Sequence, residues 1–174
     1  SFSGEEVSST NSVGQAAISE NEVSARDIEN ALNMSSTLKI PNDKTILYVV
    51  PNSFFIDGQG NIDDPLGMNG IKLEARSHLI HCSKNTKDNI KKCLKVSTSG
   101  IGIRKYFYSQ LGVAHSVLTD YQKKLGVCVL DIGAGTTDIS VYQNGSITFS
   151  KVLPYAGDYI TEIIASALDI QSSD

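Results

Sequence analysis

The chain has 174 residues, of which 40% are hydrophobic and 20% charged, with a formal net charge of −4. That length is sufficient for one or two domains with hydrophobic cores. The acidic balance argues against nucleic acid as a main partner, because binding to phosphate backbones requires clustered basic surface. No apolar run approaches the roughly 20 residues of a membrane-spanning helix. Three cysteines without CxxC spacing favour reduced thiols, as in the cytosol.

The first part of the chain predicts the start of a small α+β module. Residues 1–19 are polar and serine-rich, and by composition alone they would pass for a linker. A helix is predicted over residues 23–34, with Ser24 as its N-cap, because apolar residues recur there at helical spacing. A strand is predicted over residues 45–50 and is expected to end at Pro51.

Two further elements complete this module. Residues 57–61 read DGQGN, which is a strong turn signal. From residue 71 to 79 apolar and charged side chains alternate, a pattern typical of a strand with one exposed face. A helix over residues 84–95 follows. Helix, strands and helix in this order predict a small sheet that is covered on one face.

The second half of the chain also mixes helices and strands. A strand is predicted over residues 101–108 and a helix over residues 109–118. Further on, Asn144-Gly145 is the dipeptide preferred for a two-residue hairpin turn. A strand over residues 146–153 follows this turn, and a helix that opens after Pro154 is predicted to run through Leu168.

Residues 127–142 read VCVLDIGAGTTDISVY and predict two strands joined by a turn of small residues. Glycines let such a turn fold sharply and approach a ligand closely. Amide groups and threonine hydroxyls would then bind phosphate oxygens, which makes the candidate phosphate-binding residues Gly133, Ala134, Gly135, Thr136 and Thr137. Asp131 is placed to hold Mg²⁺ through water, because hard cations prefer oxygen ligands. The alternative is a hairpin whose glycines serve geometry alone.

The string LDIGAGTTDISVY resembles the second phosphate motif of the actin, Hsp70 and sugar-kinase ATPase superfamily. Its continuation KVLPYAGDYITEIIASAL, and the preceding SVLTDYQKKLGVCVLDIG, are similar to the FtsA family of bacterial cell-division proteins. The resemblance runs, with varying strength, from about Ser3 to the end of the chain. It implies an α/β fold, namely part of an actin-like ATPase core with an inserted α+β subdomain of the type called 1C.

The resemblance also implies a division of the chain into four segments. Residues 1–19 would end the first core subdomain (1A-like), and residues 20–97 would form the inserted 1C-like interaction subdomain. Residues 98–125 would return to the first core subdomain. Residues 126–174 would begin the second core subdomain (2A-like), which carries the phosphate hairpin. The chain is expected to be an excised fragment of a longer protein.

The cofactors that the resemblance implies are ATP and Mg²⁺. Superfamily members often carry an acidic or amide residue early in the linking helix, where it orients the attacking water, and Gln110 is the candidate here. Ala134 stands where many relatives have glycine, and its methyl group is compatible with phosphate approach only if φ is negative. We expect ATP binding with weak or absent ATPase activity. These 174 residues alone are expected to be inactive, because they lack the superfamily's first phosphate hairpin and adenosine-binding segment.

The implied function is that of an actin-like, ATP-binding cell-division protein. Such a protein helps to assemble and anchor the FtsZ ring and recruits later division proteins, on the cytoplasmic face of the cell membrane at the septum. Self-association into filaments and recruitment would use the 1C-like insert. The FtsZ-binding surface and a C-terminal amphipathic helix that reaches the inner membrane would lie outside these residues. The alternatives are a pilus-assembly platform protein with the same fold, and a sugar kinase or Hsp70-like ATPase.

The charge distribution indicates one candidate partner site on the insert. Residues 20–64 carry eight acidic and three basic side chains, whereas residues 65–97 carry two acidic and seven basic ones. These charges could intermingle on the folded surface and cancel. Alternatively, Asp57, Asp63 and Asp64 form an acidic loop that receives either the basic tail of a late division protein or the lysine-rich side of a neighbouring subunit.

Overall fold

The structure is a computed structural model that describes residues 4–37, 40–97, 103 and 106–171. Within them lie seven strands, β1 (Ser8–Ala17), β2 (Lys44–Ile56), β3 (Gln59–Ile62), β4 (Lys72–Ser83), β5 (Val127–Ile132), β6 (Thr137–Gln143) and β7 (Ser146–Leu153). The same residues contain five helices, α1 (Ala25–Ser35), α2 (Lys84–Ser97), α3 (Ser109–Val117), α4 (Asp120–Leu125) and α5 (Gly157–Leu168). The strands form two antiparallel sheets, with the orders β1-β4-β2-β3 and β5-β6-β7.

Helix α1 begins after Ser24, the predicted N-cap, which forms a capping box with Asp27. The Ser24 side chain accepts a hydrogen bond from the amide of Asp27, and the Asp27 carboxylate accepts one from the amide of Ser24 at 3.0 Å. Asp27 is fully buried and also accepts a hydrogen bond from the Ser19 hydroxyl at 2.9 Å. Hydrogen bonds to the carboxylate, foremost that from the Ser24 side chain, lower the pKa of Asp27. The N-cap is therefore also an anchor for the chain that enters the helix.

Strand β4 lies at the centre of the molecule. Leu73 and Ala75 pack in one hydrophobic cluster with Ala31 of α1, while Ile80 packs in another with Val7 and Tyr108. All six residues from position 77 to 82 are buried. The predicted exposed face is therefore correct only for the first half of β4. In the second half β7 covers the other face, as the 2.9 Å hydrogen bond between His78 and Ser150 demonstrates.

Strand β1 pairs with β4 over its full length, from Ser8 opposite His81 to Ala17 opposite Lys72. The segment that composition alone would assign to a linker is thus an edge strand. Its sheet contains residues from both sides of the proposed boundary between positions 19 and 20. The division of the chain into four segments stays a prediction.

Strand β2 does not end at Pro51, contrary to the prediction, but continues to Ile56. Strand β3 pairs with β2 only from Phe54 onwards, and the register with β4 shifts between Pro51 and Ser53. Proline is tolerated in a strand at such a position, where pairing is one-sided and irregular.

The remaining predictions for the middle and end of the chain have mixed outcomes. Half of the predicted strand over residues 101–108 lies outside the described residues, and Ile103, Tyr106 and Phe107 adopt no strand conformation. The Asn144-Gly145 turn is confirmed, with φ of 53° and 86°, as a two-residue hairpin of this type requires. Helix α4 was not predicted, although Thr119 and Gln122 form a capping box at its start.

We predict that Gly14→Ala destabilises the fold by about 1–3 kcal/mol, because overpacking forces neighbours apart. A Cβ atom at Gly14 would clash with the backbone of α1 at Ala31 and Ser35. Gly112→Ala in α3 is the matched control, since a Cβ atom there would lie 3.4 Å from the Phe107 ring, and alanine favours a helix by up to about 1 kcal/mol. Urea unfolding measures both variants. Equal stability of the two would contradict the close approach of β1 and α1.

A second prediction concerns pH. Burial, followed by the positive charge of His81, lowers the pKa of His78 to about 4 from the ordinary value of 6.5. The unfolded chain therefore binds a proton near pH 6.5 that the folded chain accepts only near pH 4. Stability should consequently fall as the pH drops from 6.5 towards 4, by at most about 3 kcal/mol in total.

Urea unfolding of the parent and of His78→Gln at pH 7 and pH 5 tests this expectation. The variant lacks the imidazole, so its stability should change less between the two pH values. If parent and variant lose equal stability on acidification, His78 is not the responsible group.

Candidate phosphate-binding hairpin

The β5–β6 hairpin brings two aspartates face to face. Asp131, near the end of β5, lies opposite Asp138 of β6, and Ile132 opposite Thr137 is the last pair before the loop. The amide of Gly133 donates to the carbonyl oxygen of Thr136 at 3.0 Å and closes the loop. Gly133, Ala134 and Gly135 are exposed, so the tip of the hairpin is open to a ligand.

The glycines of the loop matter for the space that they leave open and not for unusual backbone conformations. Neither Gly133 nor Gly135 has a positive φ. A Cβ atom at Gly135 would lie 3.9 Å from the nearest atom, Asp158 Oδ2, whereas one at Gly133 would lie 3.2 Å from the carbonyl oxygen of Thr136. Ala134 also has negative φ, which meets the condition set for a methyl group at that position.

The start of helix α5 holds the loop in place. The amides of Gly157 and Asp158 donate to the carbonyl oxygens of Gly133 and Ala134, at 3.1 Å and 2.9 Å. Within the described residues the amides of Ala134 and Gly135 donate to no acceptor. The carbonyl groups therefore point at the helix, while two exposed N–H groups remain available to an anion.

The threonine that follows the loop is already engaged. The Thr137 hydroxyl donates to the carbonyl oxygen of Tyr155 at 2.6 Å. Of the two threonines predicted to bind phosphate, Thr137 thus ties the hairpin to the segment before α5. Thr136, which is half-buried, is the one whose hydroxyl donates to no other described residue.

Beneath the loop, α3 contributes Gln110. Its Nε2 donates to Asp131 Oδ2 at 3.0 Å, and its Oε1 accepts from the Ser140 hydroxyl at 3.4 Å. Gln110 and Ser140 are both fully buried. The structure thus joins Gln110 and Asp131, which the sequence predicted separately as site residues. It also adds Ser140, which the sequence did not indicate.

Asp138 is the second residue that sequence reasoning missed. It is 5% exposed, and its Oδ1 atom is buried without a hydrogen-bond partner. Burial, and then the charge of Asp131, raise the pKa of Asp138. The nearby Tyr108 hydroxyl is also buried, and burial, followed by the charge of Asp138, raises the pKa of Tyr108 to about 12. Strand alternation could have identified Asp138, because positions 138, 140 and 142 of β6 all face inwards.

The donor set at this site suits a magnesium ion only in combination with phosphate and water. Among the described residues no group of three or more His, Cys, Asp and Glu side chains is arranged to hold a metal ion. Asp131 is half-buried and forms no ion pair with any described residue. Magnesium typically takes one or two carboxylates and completes its shell with waters and substrate phosphates. The residues present therefore fit a magnesium–phosphate complex. Asp158, beside Gly135, adds negative charge that a cation would offset.

The three aspartates of the proposed acidic loop have different surroundings. The Asp57 carboxylate accepts hydrogen bonds from the amides of Ile71 and Lys72, at 3.1 Å and 2.9 Å for the shortest contacts. Asp64 Oδ1 accepts one from the amide of Leu66 at 3.1 Å. Asp63 is exposed and forms no such bond with the described residues. The Asp57 carboxylate thus ties the β2–β3 turn to the start of β4, Asp64 is part of a local turn, and Asp63 has the least constrained side chain.

Among solved structures, the chain is similar to the PilM-PilN type IV pilus biogenesis complex. The TM-score is 0.55 at 13% sequence identity, over 94% of this chain and 45% of that one. At this identity the likeness concerns the fold alone. A family model described as the SHS2 domain inserted in FTSA matches residues 4–81. The fold is accordingly the predicted α/β class: part of an actin-like core with an inserted subdomain.

A second family model, described as cell division protein FtsA, matches residues 128–174. Curated relatives with that name are 41% identical in Pseudomonas aeruginosa, over 96% of this chain and 40% of the relative. In Escherichia coli K12 the identity is 38% over 99% of this chain and 41% of the relative. In Buchnera aphidicola subsp. Schizaphis graminum the identity is 40% over 100% of this chain and 41% of the relative. The chain belongs to the FtsA family of cell division proteins.

The chain spans about two fifths of the length of these curated relatives. In the part of the chain that the structure describes, each helix is too short or too polar to cross a membrane.

Proposed function

We propose that this chain supplies one wall of an ATP site in an actin-like cell-division protein. The β5–β6 hairpin would contact the phosphate groups through its loop amides and the Thr136 hydroxyl. Asp131 would hold the magnesium ion through water. When bound, magnesium would supply positive charge that neutralises the phosphate oxygens. The observation that carries the proposal is the pair of unengaged, exposed amides at Ala134 and Gly135, beside a carboxylate that has no cationic partner among the described residues.

The first support for this proposal is electrostatic. Asp131 and Asp138 face each other with no described cationic side chain paired to either, so the site favours the arrival of a positive ion. A second support is steric. A Cβ atom added at Gly135 would have no atom closer than 3.9 Å, so the space over this residue is open to a ligand. A hairpin built for geometry alone would need neither feature.

At the cellular level, we propose that the protein containing this chain helps to assemble and anchor the FtsZ ring at the division septum. It would work on the cytoplasmic face of the membrane, self-associate into filaments and recruit later division proteins through its inserted subdomain. Family membership and the names of the relatives support this role. The surface for FtsZ and the membrane-binding helix are proposed to lie in the part of the relatives that this chain does not span.

The other candidate functions have less support. The likeness to the pilus complex concerns the fold alone, and the named relatives are cell division proteins. A sugar kinase or an Hsp70-like ATPase shares the hairpin motif, but the family models that match this chain are those of FtsA. Hydrolysis is proposed to be weak or absent, and Gln110 as a residue that orients the attacking water stays a prediction.

Substitutions in the hairpin test the ATP site in a protein of the relatives' full length that contains this sequence. Asp131→Ala removes the proposed magnesium carboxylate, and Gly135→Val places a branched side chain where phosphate would approach. Both variants should weaken ATP binding by roughly tenfold or more, because changes at or behind a metal ligand typically cost about tenfold to a hundredfold in affinity. Isothermal titration calorimetry in the presence of Mg²⁺ gives the affinities.

Gly135→Ala is the graded control for the valine variant. Because φ at Gly135 is not positive, neither substitution should strain the backbone, and the loss of affinity should follow side-chain size. Unchanged ATP affinity in both Asp131→Ala and Gly135→Val would contradict the proposal that the β5–β6 hairpin binds phosphate.

The acidic loop generates a separate prediction. If Asp57, Asp63 and Asp64 attract a basic partner or a neighbouring subunit, replacing all three with asparagine should reduce filament formation or partner binding, most clearly at low salt. ATP affinity should stay within about twofold of the parent, since the loop is remote in sequence and fold from the hairpin. Sedimentation of filaments at about 50 and about 300 mM salt measures the effect, because the Debye length falls by more than half between these concentrations.

Two further variants separate charge from structure. Because the Asp57 carboxylate holds two backbone amides, Asp63→Asn with Asp64→Asn is the cleaner test of charge. Glu29→Gln with Asp43→Asn removes the same charge from exposed positions elsewhere. If the loop variants assemble like this control pair at both salt concentrations, the acidic loop is only a solvated turn.

A further inference from the structure

We propose that Gln110 is a positioning residue: it holds the Asp131 carboxylate in the orientation in which that group receives the magnesium ion, and Ser140 holds Gln110 in turn. This inference rests on the proposed function, because it assigns a role within the same ATP site. It differs from the role predicted from the sequence, in which Gln110 would orient the attacking water.

The hydrogen bonds define which way the Gln110 amide points. Asp131 Oδ2 is a carboxylate oxygen and can only accept, so the atom 3.0 Å from it must be the donor Nε2. The Oε1 atom then faces the Ser140 hydroxyl, which can donate to it at 3.4 Å. Both ends of the amide thus face chemically matched partners, and the side chain links α3 to β5 and β6.

Burial separates this role from direct contact with nucleotide. Gln110 and Ser140 are each 0% exposed, whereas Asp131 is partly exposed and the loop above it is open. A group that orients an attacking water needs a free polar atom facing the phosphate. The Gln110 side chain is instead fully buried, with its amide turned towards Asp131 and Ser140, so it acts on the site through Asp131.

The facing aspartates explain why Asp131 needs such a partner. Asp138 lies directly opposite Asp131 on β6, and like charges in that position repel. Among the described residues neither carboxylate forms an ion pair. The amide of Gln110 is thus the donor that draws the Asp131 carboxylate inwards against this repulsion. Groups behind a metal ligand commonly orient it in this way.

The test is a titration of ATP affinity against Mg²⁺ in a protein of the relatives' full length that contains this sequence. Gln110→Met keeps the side-chain length but removes the donor, and Gln110→Glu replaces the donor with an oxygen that faces Asp131. Each should raise the Mg²⁺ concentration at half-maximal enhancement of ATP binding by about tenfold or more. For Gln110→Met, which adds no charge, ATP affinity measured in EDTA should equal that of the parent.

Ser140→Ala keeps the inference testable if the Gln110 variants do not fold, as judged by thermal melting. It removes only the group that holds Gln110, and it should shift the Mg²⁺ midpoint in the same direction by a smaller factor. Gln122→Glu is the matched control, because it makes the same chemical change at the exposed capping box of α4, where either residue serves.

The outcomes are distinct. If the parent binds ATP no better with Mg²⁺ than in EDTA, the proposed function fails and this inference with it. If the parent responds to Mg²⁺ and the folded variants keep its midpoint, only the positioning role of Gln110 is overturned. That role is likewise overturned if Gln110→Met or Ser140→Ala loses equal affinity with Mg²⁺ and in EDTA, since Gln110 would then support the nucleotide pocket as a whole.

Discussion

The burial of β4 on both of its faces is the constraint on which the rest of the structure depends. On one side α1 approaches so closely that β1 must carry a glycine at position 14. On the other side β7 and Tyr108 cover the strand, and His78 reaches Ser150. A strand enclosed in this way cannot slip in register without exposing apolar side chains or burying polar ones. The enclosed strand therefore determines how the four-stranded sheet packs against the β5-β6-β7 sheet.

The same enclosure determines how polar groups are accommodated. Burial, followed by the charge of His81, lowers the pKa of His78 to about 4, so this histidine is uncharged at neutral pH, and both of its ring nitrogens have hydrogen-bond partners. Asp27 is also buried, but its carboxylate accepts several hydrogen bonds that stabilise the charged form. The Asp138 carboxylate is not stabilised by hydrogen bonds in this way, because its Oδ1 atom lacks a partner, and the pKa of Asp138 is raised. Unsatisfied groups of this type cluster at functional sites, which agrees with the position of Asp138 beneath the candidate phosphate loop.

The candidate site divides into an exposed tip and a buried base. The tip consists of small residues, and α5 holds the carbonyl groups of Gly133 and Ala134, whereas the amides of Ala134 and Gly135 have no acceptor among the described residues. The base consists of polar side chains from α3, β5 and β6. A rigid base beneath an accessible loop is the arrangement that a preorganised ligand site requires, because groups that are already positioned need no reordering when the ligand arrives.

By itself, the sequence determined the local elements, including the β5–β6 hairpin. Capping at Ser24, the Asn144-Gly145 turn and the alternating strands are decided within a few neighbouring residues, so their patterns are legible along the chain. Only the tertiary structure decided that β1 pairs with β4, that β2 continues past Pro51, and that Gln110 reaches Asp131 across 21 positions. These outcomes depend on contacts between distant segments. Such contacts determine which faces are buried and which polar groups find partners, and no local pattern encodes them.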